Sequence, residues 1–197
     1  IPAWPGLGGT FGALITQKEP PVNRDDLWDL GLSGPVSGLL ATIVIAVVGV
    51  LLSYNVPVQE IGGYMVKYPE LRFQQLPIPT IMLYLQNLLR PAPLGYVTVL
   101  HPVAFAAWVG FLVTFINLIP VWQLDGGHVI RSFLGNETHK VISAAGIVML
   151  MLIGFVFMGV IMAFLMIAGG ESVEPLDDVS PLDNRRKLGI VIYLILI

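Results

Sequence analysis

"NLIPVWQLDGGH", residues Asn117 to His128, closes a long apolar run. It puts an asparagine, a proline and an aspartate where a membrane helix ordinarily carries none of them. A charged side chain near the bilayer centre costs about 2.5–3.5 kcal/mol on insertion-based scales, so something must hold that carboxylate. Pro120 removes a backbone donor and interrupts a helix, and Gly126 and Gly127 permit sharp turns and close backbone approach. Non-helical backbone at membrane depth survives only when buried in protein or lining a water-filled cavity. The stretch therefore predicts an unwound segment on which Asp125 faces an internal polar site. Carboxylate oxygen suits zinc, which is often held by two histidines and one carboxylate. The competing reading of the same pattern is a turn aspartate at a helix end.

Composition supports a membrane setting. Of the 197 residues, 55% are apolar and 12% charged, and mean hydropathy is +0.80. A soluble domain carries roughly 25% charged residues. The net charge of −3 is too small to imply an acidic partner or nucleic acid. Without cysteine, disulfides and thiolate metal sites are excluded. The chain opens on Ile1 in a Pro/Gly-rich stretch with no signal-peptide pattern. It ends inside the apolar run "LGIVIYLILI", about half the roughly twenty residues that a span needs. These ends suggest a piece of a longer protein.

Three uncharged segments are long enough to span: Gly34 to Ser53, about Pro102 to Ile119, and Val141 to Ala168; the piece after Leu188 would be a truncated fourth. Gly34, Ser37 and Gly38 would let another helix approach closely. Residues 7–16, "LGGTFGALIT", alternate loosely and suit a strand or hairpin. "KEPPVNRDD" reads as a polar turn, with Asp25 or Asp26 capping a short helix through Asp29. Residues 54–100 are proline-rich and read as a loop without an independent folded domain, in which "TIMLYLQNLLR" suits an interfacial helix. Residues 171–187 form a polar loop. The expected fold is mainly α: one polytopic membrane domain over 1–197, with three complete spans, a partial fourth and a short membrane-associated β-hairpin. If the spans alternate, Lys18, Arg24, Arg131 and Lys140 share one side. Lys67, Arg72, Arg90 and Arg185–Lys187 share the other, which the positive-inside rule weakly favours as cytoplasmic.

The three histidines are scattered. His128 reads as a loop-facing residue, His101 as interfacial before Pro102, and His139 as solvent-exposed in the polar run with Glu137 and Lys140.

"NLIPVWQLDGGH" resembles the N-x-x-P-x-x-x-L-D-G motif of the site-2 protease family, intramembrane zinc metalloproteases. Asn117, Pro120, Leu124, Asp125 and Gly126 match at the family's spacing. "HPVAFAAWVGFLVTFI" is similar to the helix that carries the motif, especially in archaeal and plastid-like members. "FGALITQKEPPVNRDDLWDLGLSGPVSG" looks like the family's membrane-associated hairpin and the helix after it. The resemblance implies that Asp125 is the third ligand of a Zn²⁺ ion whose two histidine ligands and glutamate base lie on an H-E-x-x-H helix. No H-E-x-x-H occurs in this chain. In the family that helix precedes the hairpin, and this chain alone is expected to be inactive. The activity implied for the full protein is metal-assisted hydrolysis of a transmembrane peptide within the lipid bilayer. Asn117 would hydrogen-bond the substrate backbone or the developing oxyanion, or else another helix. The strand around Phe11–Ile15 would add substrate to its edge. Two alternatives remain: a catalytically inactive membrane scaffold of the same family, and a transporter, which also uses a carboxylate beside a broken helix.

Overall fold

A computed structural model describes residues 19–68, 75–168 and 175–196. The expected hairpin at 7–16, with Phe11–Ile15, lies outside them. Among the described residues the protein is mainly helical, with eight helices and one two-stranded sheet.

The first helix, α1, covers Arg24–Leu52 and begins ten residues before the expected span. Asn23 caps it, its side-chain oxygen accepting from the Asp26 amide at 2.8 Å. Asp25 and Asp26 sit in the first turn, where carboxylates complement the helix dipole. The expected short helix and the first span are thus one element. It alone among the described helices is long and apolar enough to cross a membrane.

Two strands follow α1 with helices between them. β1 (Tyr54–Pro57) pairs antiparallel with β2 (Tyr96–Val99), and α2 (Val58–Lys67) and α3 (Thr80–Leu89) lie between. The expected loop therefore holds a small ribbon, which closes residues 58–95 back onto the end of α1.

α4 (Pro102–Leu118) then runs antiparallel along α1. Small residues set that contact. At one end the Ser53 hydroxyl accepts from the His101 amide at 3.0 Å. Further along, a Cβ on Gly49 would overlap Ala104, one on Gly110 would lie 2.7 Å from Thr42 Oγ1, and one on Gly38 would reach Thr114. Lipid tails are as apolar as leucine, so close van der Waals packing, rather than removal from water, stabilises such a seam. Of the small residues expected at this contact, Gly38 lies on the α4 seam, Gly34 faces Asp125, and Ser37 is exposed.

α5 (Asp125–Leu134) continues beside the first half of α1, so α4 and α5 together follow that helix from end to end. No helix was expected over 126–134.

The expected single span at 141–168 is instead two helices, α6 (Asn136–Leu152) and α7 (Val156–Ala168), packed on each other. Gly154 turns the chain with φ +100°, a left-handed conformation that favours glycine. α8 (Asn184–Leu196) begins four residues earlier than expected. Because α6 and α7 fold back, the chain returns to the end of the bundle that it left. Arg186 there pairs with Asp25 at 3.1 Å and Asp29 at 2.7 Å. Arg24 and Arg186 therefore share one end, which overturns the alternating charge assignment.

Candidate functional site

α4 stops where Pro120 withdraws a donor. Ile119 caps it, and short backbone bonds from Val121 to Ile119 (2.7 Å) and from Leu124 to Val121 (2.8 Å) shape the break. Trp122 has φ 39°, a strained backbone for a bulky residue. Such strain persists only where the surroundings over-determine it. Here α6 supplies the constraint. Ser143 Oγ accepts from the Trp122 amide at 2.9 Å, while His139 Nε2 lies 3.2 Å from both the Trp122 carbonyl oxygen and Ser143 Oγ. From α8, the buried Tyr193 hydroxyl donates to the Leu118 carbonyl at 2.7 Å, satisfying one orphan acceptor at the helix end.

Beyond the break, Asp125 is the first residue of α5. That corrects the expected irregular backbone at this position: the unwound part ends at Leu124, and the carboxylate sits in a helical first turn that favours negative charge. The two glycines explain the close return of the chain. A Cβ on Gly126 would collide with the Leu118 carbonyl, and one on Gly127 with the Trp122 carbonyl. α1 approaches from the other side. A Cβ on Gly31 would lie 2.7 Å from the Asp125 carbonyl oxygen, and one on Gly34 3.3 Å from Asp125 Oδ2. Half-buried and facing Gly34, the Asp125 carboxylate has no hydrogen bond or ion pair among the described residues. Asn117, in the last turns of α4, is likewise half-buried, and its amide has no such partner.

Two of the three histidines, His139 and His128, fall elsewhere than expected. His139 is fully buried, because the polar run around it is the first turn of α6 and its buried face turns toward the break. His128 lies within α5, half-buried, rather than in a loop. His101 caps α4, its Nδ1 accepting from the Val103 amide at 3.2 Å.

One polar cluster was missed altogether. Arg131 of α5 is 1% exposed and forks onto Asp178 with bonds of 3.0 and 2.9 Å; Arg24 reaches the same carboxylate at 3.0 Å. The Asp178 carboxyl is held below its ordinary value, chiefly by the Arg131 hydrogen bonds. The signal was an arginine within "HVIRSFL", which a buried helix can carry only with a partner.

For zinc, the donor chemistry is partial. Among the described residues no group of three or more His, Cys, Asp or Glu side chains could hold a metal. Asp125 offers one carboxylate of the donor type that zinc accepts, in the first turn of α5 and without a protein cation beside it among those residues.

Fold and site together define a helical protein with, among the described residues, one helix fit to cross a membrane and, beside it, a broken helix followed by a carboxylate. The profile of peptidase family M50 matches residues 9–161, and the chain belongs to that family, the site-2 proteases. Similar proteins include the probable zinc metalloproteases EGY1 of Oryza sativa subsp. japonica (26% identical, covering 96% of this chain and 32% of that protein) and of Arabidopsis thaliana (28%, 96% and 34%). EGY2 of Arabidopsis thaliana is 27% identical, covering 99% of this chain and 34% of its own length. All three are named chloroplastic. This chain spans about a third of the length of these relatives. No solved structure matches it.

Proposed function

We propose that this chain forms part of an intramembrane zinc metalloprotease and contributes Asp125 as one of three protein ligands to Zn²⁺, with the two histidine ligands supplied from outside these 197 residues. The single observation that carries the reading is the Asp125 carboxylate: half-buried, against Gly34 and without a protein partner among the described residues. Asp178, by contrast, is held by both Arg131 and Arg24. Bound zinc supplies Lewis acidity and lowers the pKa of a bound water toward about 7.

The chain's own residues then have separate tasks. The strained loop at Trp122, clamped by Ser143 and His139, fixes where α5 begins and hence where Asp125 stands. Asn117 offers an unclaimed amide to the substrate backbone or the developing oxyanion. The substrate is a transmembrane peptide, unwound locally.

The protein is a multi-pass integral membrane protein in this reading, with 1–197 a single membrane-embedded domain. Support comes from α1, 29 residues or about 44 Å long, and from the α4–α5 pair that accompanies it over its whole length. The test is cleavage of a membrane-helix substrate by the full-length protein reconstituted in lipid. Asp125→Ala is expected to abolish cleavage, and Asn117→Ala to lower kcat about 100-fold or more with little change in KM, as loss of an oxyanion donor does. Wild-type cleavage by both variants would sink the proposal. A membrane scaffold would show no cleavage in the wild type either.

A further inference from the structure

We infer that residues 75–90 form a re-entrant segment, inserted beside α1 and α4 among lipid acyl chains and returning to the end of the bundle from which it came. The inference rests on α1 crossing the membrane, as proposed above.

Four tie points set the depth. The ends of α1 and α4 are level where Ser53 meets His101. Six residues into α4, or about 9 Å below that level, Trp108 Nε1 donates to the Pro77 carbonyl at 2.7 Å. Met82 is fully buried in a cluster with Ala46 of α1 and Ala104, Ala107 and Phe111 of α4, below the level of Ser53 and His101. The path then rises. The Gln86 side chain bonds Thr98 of β2, and Arg90 Nη1 donates to the Leu51 carbonyl at 2.8 Å, in the last turn of α1. α3 therefore climbs along the bundle instead of lying across its end.

Composition suits that path. The extended stretch "QLPIP", residues 75–79, carries two prolines, so two of its five backbone units have no N–H to leave unsatisfied in hydrocarbon. The Pro77 carbonyl is taken by Trp108, and the Pro79 carbonyl accepts from the Leu83 amide at 2.9 Å. The outer face of α3 is mostly apolar: Ile81, Leu83, Tyr84 and Leu88 are exposed, with Thr80 and Asn87 the uncharged polar residues beside them. Arg90, at the exit, is the basic residue expected at an interface. Acyl chains fit this face because no charged residue lies between Gln75 and Leu89, and α1 beside it likewise exposes apolar side chains (Leu40, Val44, Val48).

These 197 residues have no cysteine, so once any cysteine elsewhere in the full-length protein is replaced by serine, each substitution carries the single spin label. Ile78→Cys, Ile81→Cys, Tyr84→Cys and Leu88→Cys, made in the full-length protein in liposomes, are compared by their accessibility to oxygen and to a nickel chelate. Leu40→Cys and Val44→Cys serve as references for α1. Depth is expected to fall from 78 to 88, by up to about 9 Å, with 78 deeper than 88. Equal depth at all four positions would mean a flat surface helix and would overturn the inference. So would nickel access at all four, or shielding from both reagents, which would reveal a protein partner. Nickel access at Leu40 and Val44 would instead overturn the membrane reading of α1 on which the inference stands.

Discussion

Replacing Asp178 by asparagine keeps the side chain's shape and removes the charge that Arg131 grips. Arg131 is 1% exposed and donates two bonds of 3.0 and 2.9 Å to that carboxylate, whose own side chain is 38% exposed. Breaking a fully buried pair costs roughly 3–5 kcal/mol, whereas an exposed pair is worth about 0–1 kcal/mol. With one partner buried and the other in reach of water, the expected loss is about 2 kcal/mol. For a chain of this size each kcal/mol shifts Tm by about 2–4 °C, giving a drop of roughly 4–8 °C. The pH dependence has a definite sign. Because the folded carboxyl lies below its ordinary value through the Arg131 hydrogen bonds, its contribution is present above about pH 4. It is lost as pH falls through the folded value. Thermal unfolding of the detergent-solubilised protein from pH 7 downward should show a gap between wild type and Asp178→Asn that narrows in acid. Equal Tm at pH 7, or a gap that does not change with pH, would refute the structural role of this cluster.

Gly126→Ala would drive a methyl into the Leu118 carbonyl; overpacking of this kind costs about 1–3 kcal/mol, and cleavage should fall because α5 can no longer seat. Tyr193→Phe would leave the Leu118 carbonyl without the hydroxyl that bonds it at 2.7 Å. A loss of about 1–3 kcal/mol is expected, read as a lowered Tm with zinc content unchanged. Ser143→Ala removes the acceptor of the Trp122 amide. It should increase protease nicking or hydrogen exchange within 119–124, and protection equal to wild type would contradict the clamp.

The break at Pro120 was legible because proline has a local and unconditional effect, and the observed end of α4 at Leu118 lies within a residue of the expected one. The turn at Gly154 was not. Nothing polar interrupts "MLIGFVFMG", and one glycine among many does not announce a left-handed φ. Hydropathy measures the preference of a run for lipid, not the point at which it doubles back. His139 was misread for a related reason: "NETHK" is polar in sequence, yet it opens a helix whose other face is buried. Asp125 stood out from its neighbours, but its place in the first turn of α5 depends on the close approach of its neighbour Gly126 to Leu118 and of its own carbonyl to Gly31. Leu118 and Gly31 are separated from Asp125 by 7 and 94 residues. Long-range ion pairs such as Arg131 with Asp178 leave no local trace beyond an arginine in apolar company.

Zinc stoichiometry of the full-length protein and its Asp125 variants tests the central claim most directly. Wild type should retain about one zinc per chain after gel filtration, as three protein ligands to one zinc imply. Asp125→Asn, which keeps the shape and weakens the ligand charge, should hold it less tightly, and Asp125→Ala should lose it while Tm stays within a few degrees of wild type. Zinc content unchanged in both variants would mean that Asp125 is a turn residue at a helix start and not a metal ligand.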